Sequence, residues 1–372
     1  MKKRVLRPVC IILAFVLAGL ALASCGGSNQ PASSPAPSDA ASAPPAPKQV
    51  YNVDINVTLA EAVSPSWAQL FRDLGTRSDG QFDVTVYWSG SLLSIPEIPN
   101  GFLSNTVTFG NLPSPNYPDT LPLNCRILQL PYMGLKDPVA SSEIWMQLYD
   151  EFPQMGEEMA KFNMMAVAST TLGMYDLFFV DKNEVRLPSD LSGRQIVPYK
   201  PEMLEMFERF NAAGSYIPPG QIYESLERAV VDGYINNWAF QGWFGLSELI
   251  HQSVKLSEYG AFHEFNFLVL NAQFYNSLPA DLQKIWIDLF RTEKGYEKMW
   301  GDTADLVANE VKKAQEAGNL FVELTPAEQQ VWKDELGDVH TVVLAEINAT
   351  RGDTVATDIY NRAVELIAER NK

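Results

Sequence analysis

The chain has 372 residues and a formal net charge of −17, with 45 acidic against 28 basic side chains. That balance argues against nucleic acid as a partner, and the length suits two modest domains. Three cysteines and three histidines, none at metal-ligand spacing, argue against a zinc site, and phosphate-loop, dinucleotide and nucleophile-elbow glycine motifs are absent, so no metal or cofactor is expected.

Residues 1–24 read as an export signal. Lys2, Lys3, Arg4 and Arg7 precede an apolar run too short to span a membrane, and Leu22-Ala-Ser leads into Cys25. Small residues before a cysteine make Cys25 the expected lipidation site, whose diacylglycerol would anchor the mature chain to a membrane. The protein is then expected outside the cytoplasm, in the periplasm or on the outer face of the cell membrane. With Cys10 removed and Cys25 lipidated, Cys125 has no intrachain disulfide partner. Residues 25–49, rich in Gly, Ser, Ala and Pro, form a flexible tether with no apolar period.

Folding is expected to begin near Val50. Val53, Ile55 and Val57 alternate as in a half-buried strand, and Ser64-Pro65 opens a helix with Trp67, Leu70, Phe71 and Leu74 on one face. Phe82, Val84 and Val86 make a second strand, so strand, helix and strand succeed one another as in an α/β fold. A short strand at 106–109 then enters proline-rich loops. Loops at the carboxyl ends of parallel strands hold ligands in open α/β sheets, which makes Asn111 and Tyr117 pocket candidates, with ordinary turn residues as the other reading.

Residues 139–161 read as helix broken at Pro153, followed by strands at 164–169, 174–180 and 194–199. Helices are expected at 201–212 and 221–231, then a strand at 233–237 that runs into Trp238, Phe240, Trp243 and Phe244. Residues 278–317 read as one long helix, Thr325-Pro326-Ala-Glu328 begins another, and 341–372 is mostly helical.

Several stretches in this order resemble the solute-binding proteins of tripartite ATP-independent periplasmic (TRAP) transporters over residues 50–290. They are Gly80-Gln-Phe-Asp-Val-Thr-Val-Tyr-Trp-Ser-Gly-Ser-Leu92, Leu130-Pro131 with Asp137, Asp190-Leu-Ser-Gly-Arg-Gln-Ile196, the helix-to-strand turn ending Val231-Asp-Gly233, and Leu278-Pro-Ala-Asp281. The resemblance implies an α/β, two-lobed periplasmic binding protein fold, each lobe a mixed, mostly parallel sheet flanked by helices, with a long helix spanning both. Lobe I is expected at 50–172 with 258–297 returning to it, and lobe II at 173–257 with 298–372 packing on it.

In that family an Arg after the Ile of Asp-Leu-x-Gly-x-x-Ile clamps the carboxylate of an organic acid. Here the position is Val197, and a second family Arg, expected near Met174-Tyr175, is also missing. The solute is therefore expected to be uncharged, aromatic or cationic rather than a simple carboxylate held by arginine, with Arg126 or Lys200 left as substitute cations. Ligand candidates are Asn236, Tyr175, Trp238, Tyr199, Tyr117, Asn111 and Trp67, since rings stack on planar ligands or cover cations. Phe240, Trp243 and Phe244 also suit a hinge core. No acid–base pair accompanies these aromatics, so an enzyme is not expected. The implied partners are a small organic solute, TRAP-type permease subunits and, through the lipid, a membrane. A sensing lipoprotein that presents the solute to a membrane receptor is the alternative.

Overall fold

A computed structural model of the chain describes residues 48–200 and 203–372. The expected export signal, Cys25 and most of the tether lie outside the described residues. Four strands come first, β1 (Tyr51–Asn56), β2 (Phe82–Tyr87), β3 (Phe109–Pro113) and β4 (Met164–Thr170). The chain then builds β5 (Asp176–Phe179), β6 (Gln195–Val197), β7 (Ala213–Gly214), β8 (Gly233–Asn236) and β9 (Gln252–Val254). It returns as β10 (Asn266–Asn271) and ends its strands with β11 (Leu320–Val322).

These strands form two sheets, β2-β1-β3-β10-β4 and β11-β9-β5-β8-β6-β7. In the first, β1 runs parallel to β2 and β3, while β10 lies antiparallel between β3 and β4. All six residues of β10 are buried, as a strand covered on both faces requires, and its sequence Asn-Phe-Leu-Val-Leu-Asn is correspondingly apolar between its ends. The helix Pro65–Arg77 buries Trp67, Leu70, Phe71 and Leu74, the face its sequence spacing predicts. Strand β3 starts where the expected strand at 106–109 ends: the Thr106 N–H donates back to the Gly101 carbonyl, and the Thr108 N–H leads into the sheet by donating to the Asp54 carbonyl of β1.

The long helical run is interrupted. Ala280–Ile287 passes into a π-helical turn, Asp288–Thr292, and Lys294 takes φ 55° before the helix Gly295–Glu316 begins. At Gly295 a Cβ would stand 2.5 Å from the Leu289 carbonyl oxygen, so the tight return needs glycine. This last helix packs on Pro65–Arg77 and β4 of the first lobe and on helix Trp238–Phe244 of the second, and so spans both.

The chain's end corrects one expectation. β11 and, of the last three helices, only Pro326–Leu336 join the second lobe; Trp332 and Leu336 enter its core and the Trp332 indole N–H donates to the Arg186 carbonyl at 2.8 Å. The last two helices, Val339–Arg351 and Val355–Arg370, carry Leu344, Ile347, Ile359, Leu366 and Ile367 into the core of the first lobe. The helix Val355–Arg370 packs on Pro138–Glu151, and Val339–Arg351 packs on Val355–Arg370.

Candidate ligand cleft

Two of the segments that carry the chain between the sheets, 171–175 and 255–265, lie side by side. Met174 and His263 form an isolated antiparallel bridge, and the Tyr175 N–H donates to the Phe262 carbonyl at 3.0 Å. The Thr171 hydroxyl donates to the Glu264 carbonyl at 2.7 Å. Gly173 permits the turn into this pair: its φ is 127°, and a Cβ there would stand 3.1 Å from Cβ of Asn237.

At these crossings a polar knot is buried. Tyr175 is 1% exposed, its ring set edge-on to Tyr199 at 4.3 Å between centroids. Its hydroxyl is hydrogen-bonded to the Glu264 carboxyl and meets the Asn237 side chain, and burial foremost pushes its pKa well up. Glu264 is 6% exposed. Burial pushes its pKa up to about 7, against the pull of the Tyr175 hydroxyl and of positive Lys200. His263 is fully buried beside Phe265, and burial, aided by Lys200, pushes it down to about 3, so it is neutral at physiological pH. Neither His263 ring nitrogen has a hydrogen-bond partner among the described residues.

The end of β8 and the middle of β3 add amides. Asn236 Oδ1 accepts the Asn237 N–H at 2.9 Å, and Asn237 Oδ1 caps helix Trp238–Phe244 by accepting from Phe240 N at 2.9 Å. On the first lobe, Asn111 Oδ1 accepts the Thr58 N–H at 2.8 Å. Its Nδ2 donates to Thr58 Oγ1 at 2.7 Å and to Asn266 Oδ1 at 3.0 Å. Asn266 Nδ2 is buried with no partner among the described residues. Glu264, Asn266 and Asn111 thus make a polar row from the crossings to the rim of β1.

One apolar-walled cavity is lined by Tyr199, the neighbour of Tyr175, and a second by Thr58, the partner of Asn111. The first is lined also by Gln129, Lys200, Met203 and Phe262, the second by Leu59, Ser89, Trp243 and Phe244. Both take walls from the two lobes.

Tyr175, Tyr199 and Asn236 therefore gather at one end of the second sheet, with Asn111 on the opposing lobe. The other three ligand candidates lie in lobe cores. Trp238 donates its indole N–H to Asp176 Oδ2 at 2.8 Å and stacks on Phe321 at 5.5 Å. Asp176 accepts also from Ser257 N at 2.8 Å, and burial raises its pKa. Tyr117 donates its hydroxyl to the Ile95 carbonyl, and Trp67, 1% exposed, sits edge-on to Phe71.

Val197, 1% exposed, packs with Phe178, Ile222, Leu226 and Tyr234. Arg126 forks onto Glu346 with contacts of 3.2 and 2.9 Å. Arg194 pairs with Asp181 and covers the Phe179 ring. Sequence reasoning missed Glu264, His263, Thr58 and Asn266. The available signal was one acidic residue inside the apolar run 261–270.

No cluster of His, Cys, Asp or Glu among the described residues is suited to hold a metal, and no described helix is long and apolar enough to cross a membrane. The family model for bacterial extracellular solute-binding protein, family 7, matches residues 59–346.

Solved structures of the same fold include a TRAP periplasmic solute-binding protein from Sulfitobacter sp. NAS-14.1 with bound β-D-galacturonate. It gives a TM-score of 0.69 at 16% identity over 85% of this chain and 100% of its own. A marine metagenome TRAP solute-binding protein specific for aromatic acid ligands, in complex with metahydroxyphenylacetate, gives 0.72 at 16% identity, over 87% and 100%. A Bordetella pertussis extracytoplasmic solute receptor binding pyroglutamic acid gives 0.68 at 15%, over 84% and 99%.

Proposed function

The chain belongs to family 7 of the bacterial extracellular solute-binding proteins, and on that footing we propose that it is the capture subunit of a TRAP-type, ion-gradient-driven permease. It binds a solute outside the cytoplasm and is not an enzyme. The two lobes populate open and closed arrangements, and a solute touching both favours closure by its differential affinity for that state. The closed form then docks on the permease. Cys25 carries a lipid that holds the mature protein to a membrane through the 25–49 tether, a reading supported by Leu22-Ala-Ser before the cysteine.

The solute is not a simple carboxylate held by arginine. The observation that carries this is the composition of the knot. Tyr175, with Glu264 against it, stands where the resemblance leads one to expect a guanidinium, and Val197, the other such position, is packed into an apolar core. Arg126 and Arg194 are engaged with Glu346 and Asp181. An acid brought here would be desolvated beside a buried carboxyl, with no arginine to match its charge. The galacturonate, aromatic acid and pyroglutamate of the related structures are then not guides to this cleft.

Native mass spectrometry of the chain purified without refolding tests capture. A small-molecule increment lost on denaturation, and diminished in Asn236→Leu, is expected. An Asn236→Leu chain that folds and keeps the full increment would remove the cleft from the account.

A further inference from the structure

We propose that the solute is an uncharged aromatic compound seated in the cavity between Thr58 and Trp243, and that Trp243 is the residue that selects it. The proposal rests on the solute-capture reading above and names the class of solute.

Of the two apolar-walled cavities between the lobes, the one at Thr58 measures about 400 Å³ and the one at Tyr199 about 80 Å³. Small-molecule sites span roughly 300–1,000 Å³, so only the first has room for a whole solute. Thr58, Leu59, Val63 and Ser89 line it from the first lobe, Trp243 and Phe244 from the second, and none of its lining residues is charged. A carboxylate or an ammonium moved here would lose its water with no opposite charge in the walls. An uncharged ring loses little and gains apolar contact.

The first wall is held in one shape. Ser89 takes φ 56°, a left-handed conformation uncommon outside glycine, and its N–H donates to the Leu59 carbonyl at 2.9 Å. The Gly90 N–H donates to the Val57 carbonyl at 2.8 Å, so the loops after β1 and β2 are tied together. Asn111 holds Thr58 by its backbone N–H and by its hydroxyl oxygen. The Thr58 hydroxyl proton is left over, and the Ser89 hydroxyl has no partner among the described residues. Both are free to bond a hydroxyl or carbonyl oxygen of a neutral solute.

The second wall is aromatic. Trp243 and Phe244 rest half-buried on the core of the second lobe. Gly242 seats their helix closely, since a Cβ there would stand 2.8 Å from Leu306 Cδ1 and 3.1 Å from Glu310 Oε1 of helix Gly295–Glu316. Phe244 packs on Phe240 at 4.6 Å between centroids, whereas no described ring pairs with Trp243 and its indole N–H has no partner among the described residues. Trp238 spends both assets, on Phe321 and on Asp176. A solute ring stacked on Trp243 gains more than its buried area alone supplies. Reaching Leu59 at the same time, it bridges the lobes and favours the closed form.

The test measures the affinity of the wild-type chain, Trp243→Ala and Trp243→Phe for three matched probes, 3-phenylpropan-1-ol, 3-phenylpropionate and 3-phenylpropylamine, and identifies the co-purified solute by native mass spectrometry. We expect wild type to bind the alcohol at least about ten-fold more tightly than the acid or the amine, and to release an uncharged aromatic compound on denaturation. Trp243→Ala should lose about ten-fold in affinity for the alcohol, and Trp243→Phe should keep most of it. A preference for the acid or the amine, a released solute that is charged or lacks a ring, or a folded Trp243→Ala chain with unchanged affinity would overturn the assignment while leaving solute capture intact. Should Trp243→Ala not fold, the probe preference of wild type decides alone. A wild-type chain that binds no probe and releases nothing overturns the assignment and the capture reading together.

Discussion

The Tyr175 hydroxyl meets the Glu264 carboxyl across two of the chain crossings that join the lobes. Each residue comes from a different crossing, so the pair ties the two crossings together. Its consequences can be measured through pH, stability and binding.

Glu264 holds its proton up to about pH 7, against 4.5 for an ordinary Glu. The native chain therefore binds this proton more tightly than the unfolded chain does. The resulting stabilisation is complete below pH 4.5 and is lost as pH rises through 7, amounting to roughly 3 kcal/mol. His263 works in the opposite sense: held near 3 against 6.5, it contributes stability above pH 6.5 that is lost as pH falls toward 3. Glu264→Gln separates the two. The unfolding free energy of the solute-free wild type minus that of the variant should fall by roughly 3 kcal/mol between pH 4.5 and 8. A difference that stays constant would mean Glu264 titrates alike in both states.

Replacing His263 by Leu removes two buried nitrogens with no partner among the described residues. Urea unfolding of the solute-free chain should show a gain of about 1–2 kcal/mol at neutral pH and a flatter loss of stability in acid. A loss of similar size would show that the imidazole is satisfied by water or solute.

Trp238→Phe should cost about 2 kcal/mol, since it strips one donor from buried Asp176 and opens space against Phe321. Solute affinity should fall no further than the stability loss explains. A folded variant that has lost its solute would place Trp238 in the cleft after all.

Val197→Arg restores the family's arginine by residue type, but it places a guanidinium among Phe178, Ile222, Leu226 and Tyr234. A loss of about 3 kcal/mol or more is expected, with no gain of binding to 3-phenylpropionate. Stable folding with new acid binding would show that the wall at Val197 yields.

Much of the scaffold was legible because its signals are local. The alternation at Val53, Ile55 and Val57 and the Trp67 to Leu74 face state which side is buried. What they do not state is against what. The stripe of Leu344, Ile347 and Ile359 announces a buried helix face and is silent on which lobe covers it. The same holds at the cleft. Trp238 reads as a ring open to a ligand until Asp176, far off in sequence, takes its N–H. Glu264 reads as one charge in an apolar strand until Tyr175 arrives from the other crossing. Tyr175 and Asn236 were legible through the places they occupy in a resemblance, and that route carries no information about a group the family does not share.

The most direct measurement is chemical identification of the small molecule released from the chain after purification without refolding. A neutral, aromatic or cationic compound, bound without an arginine clamp, is the predicted result. A compound whose only ionised group is a carboxylate would contradict it.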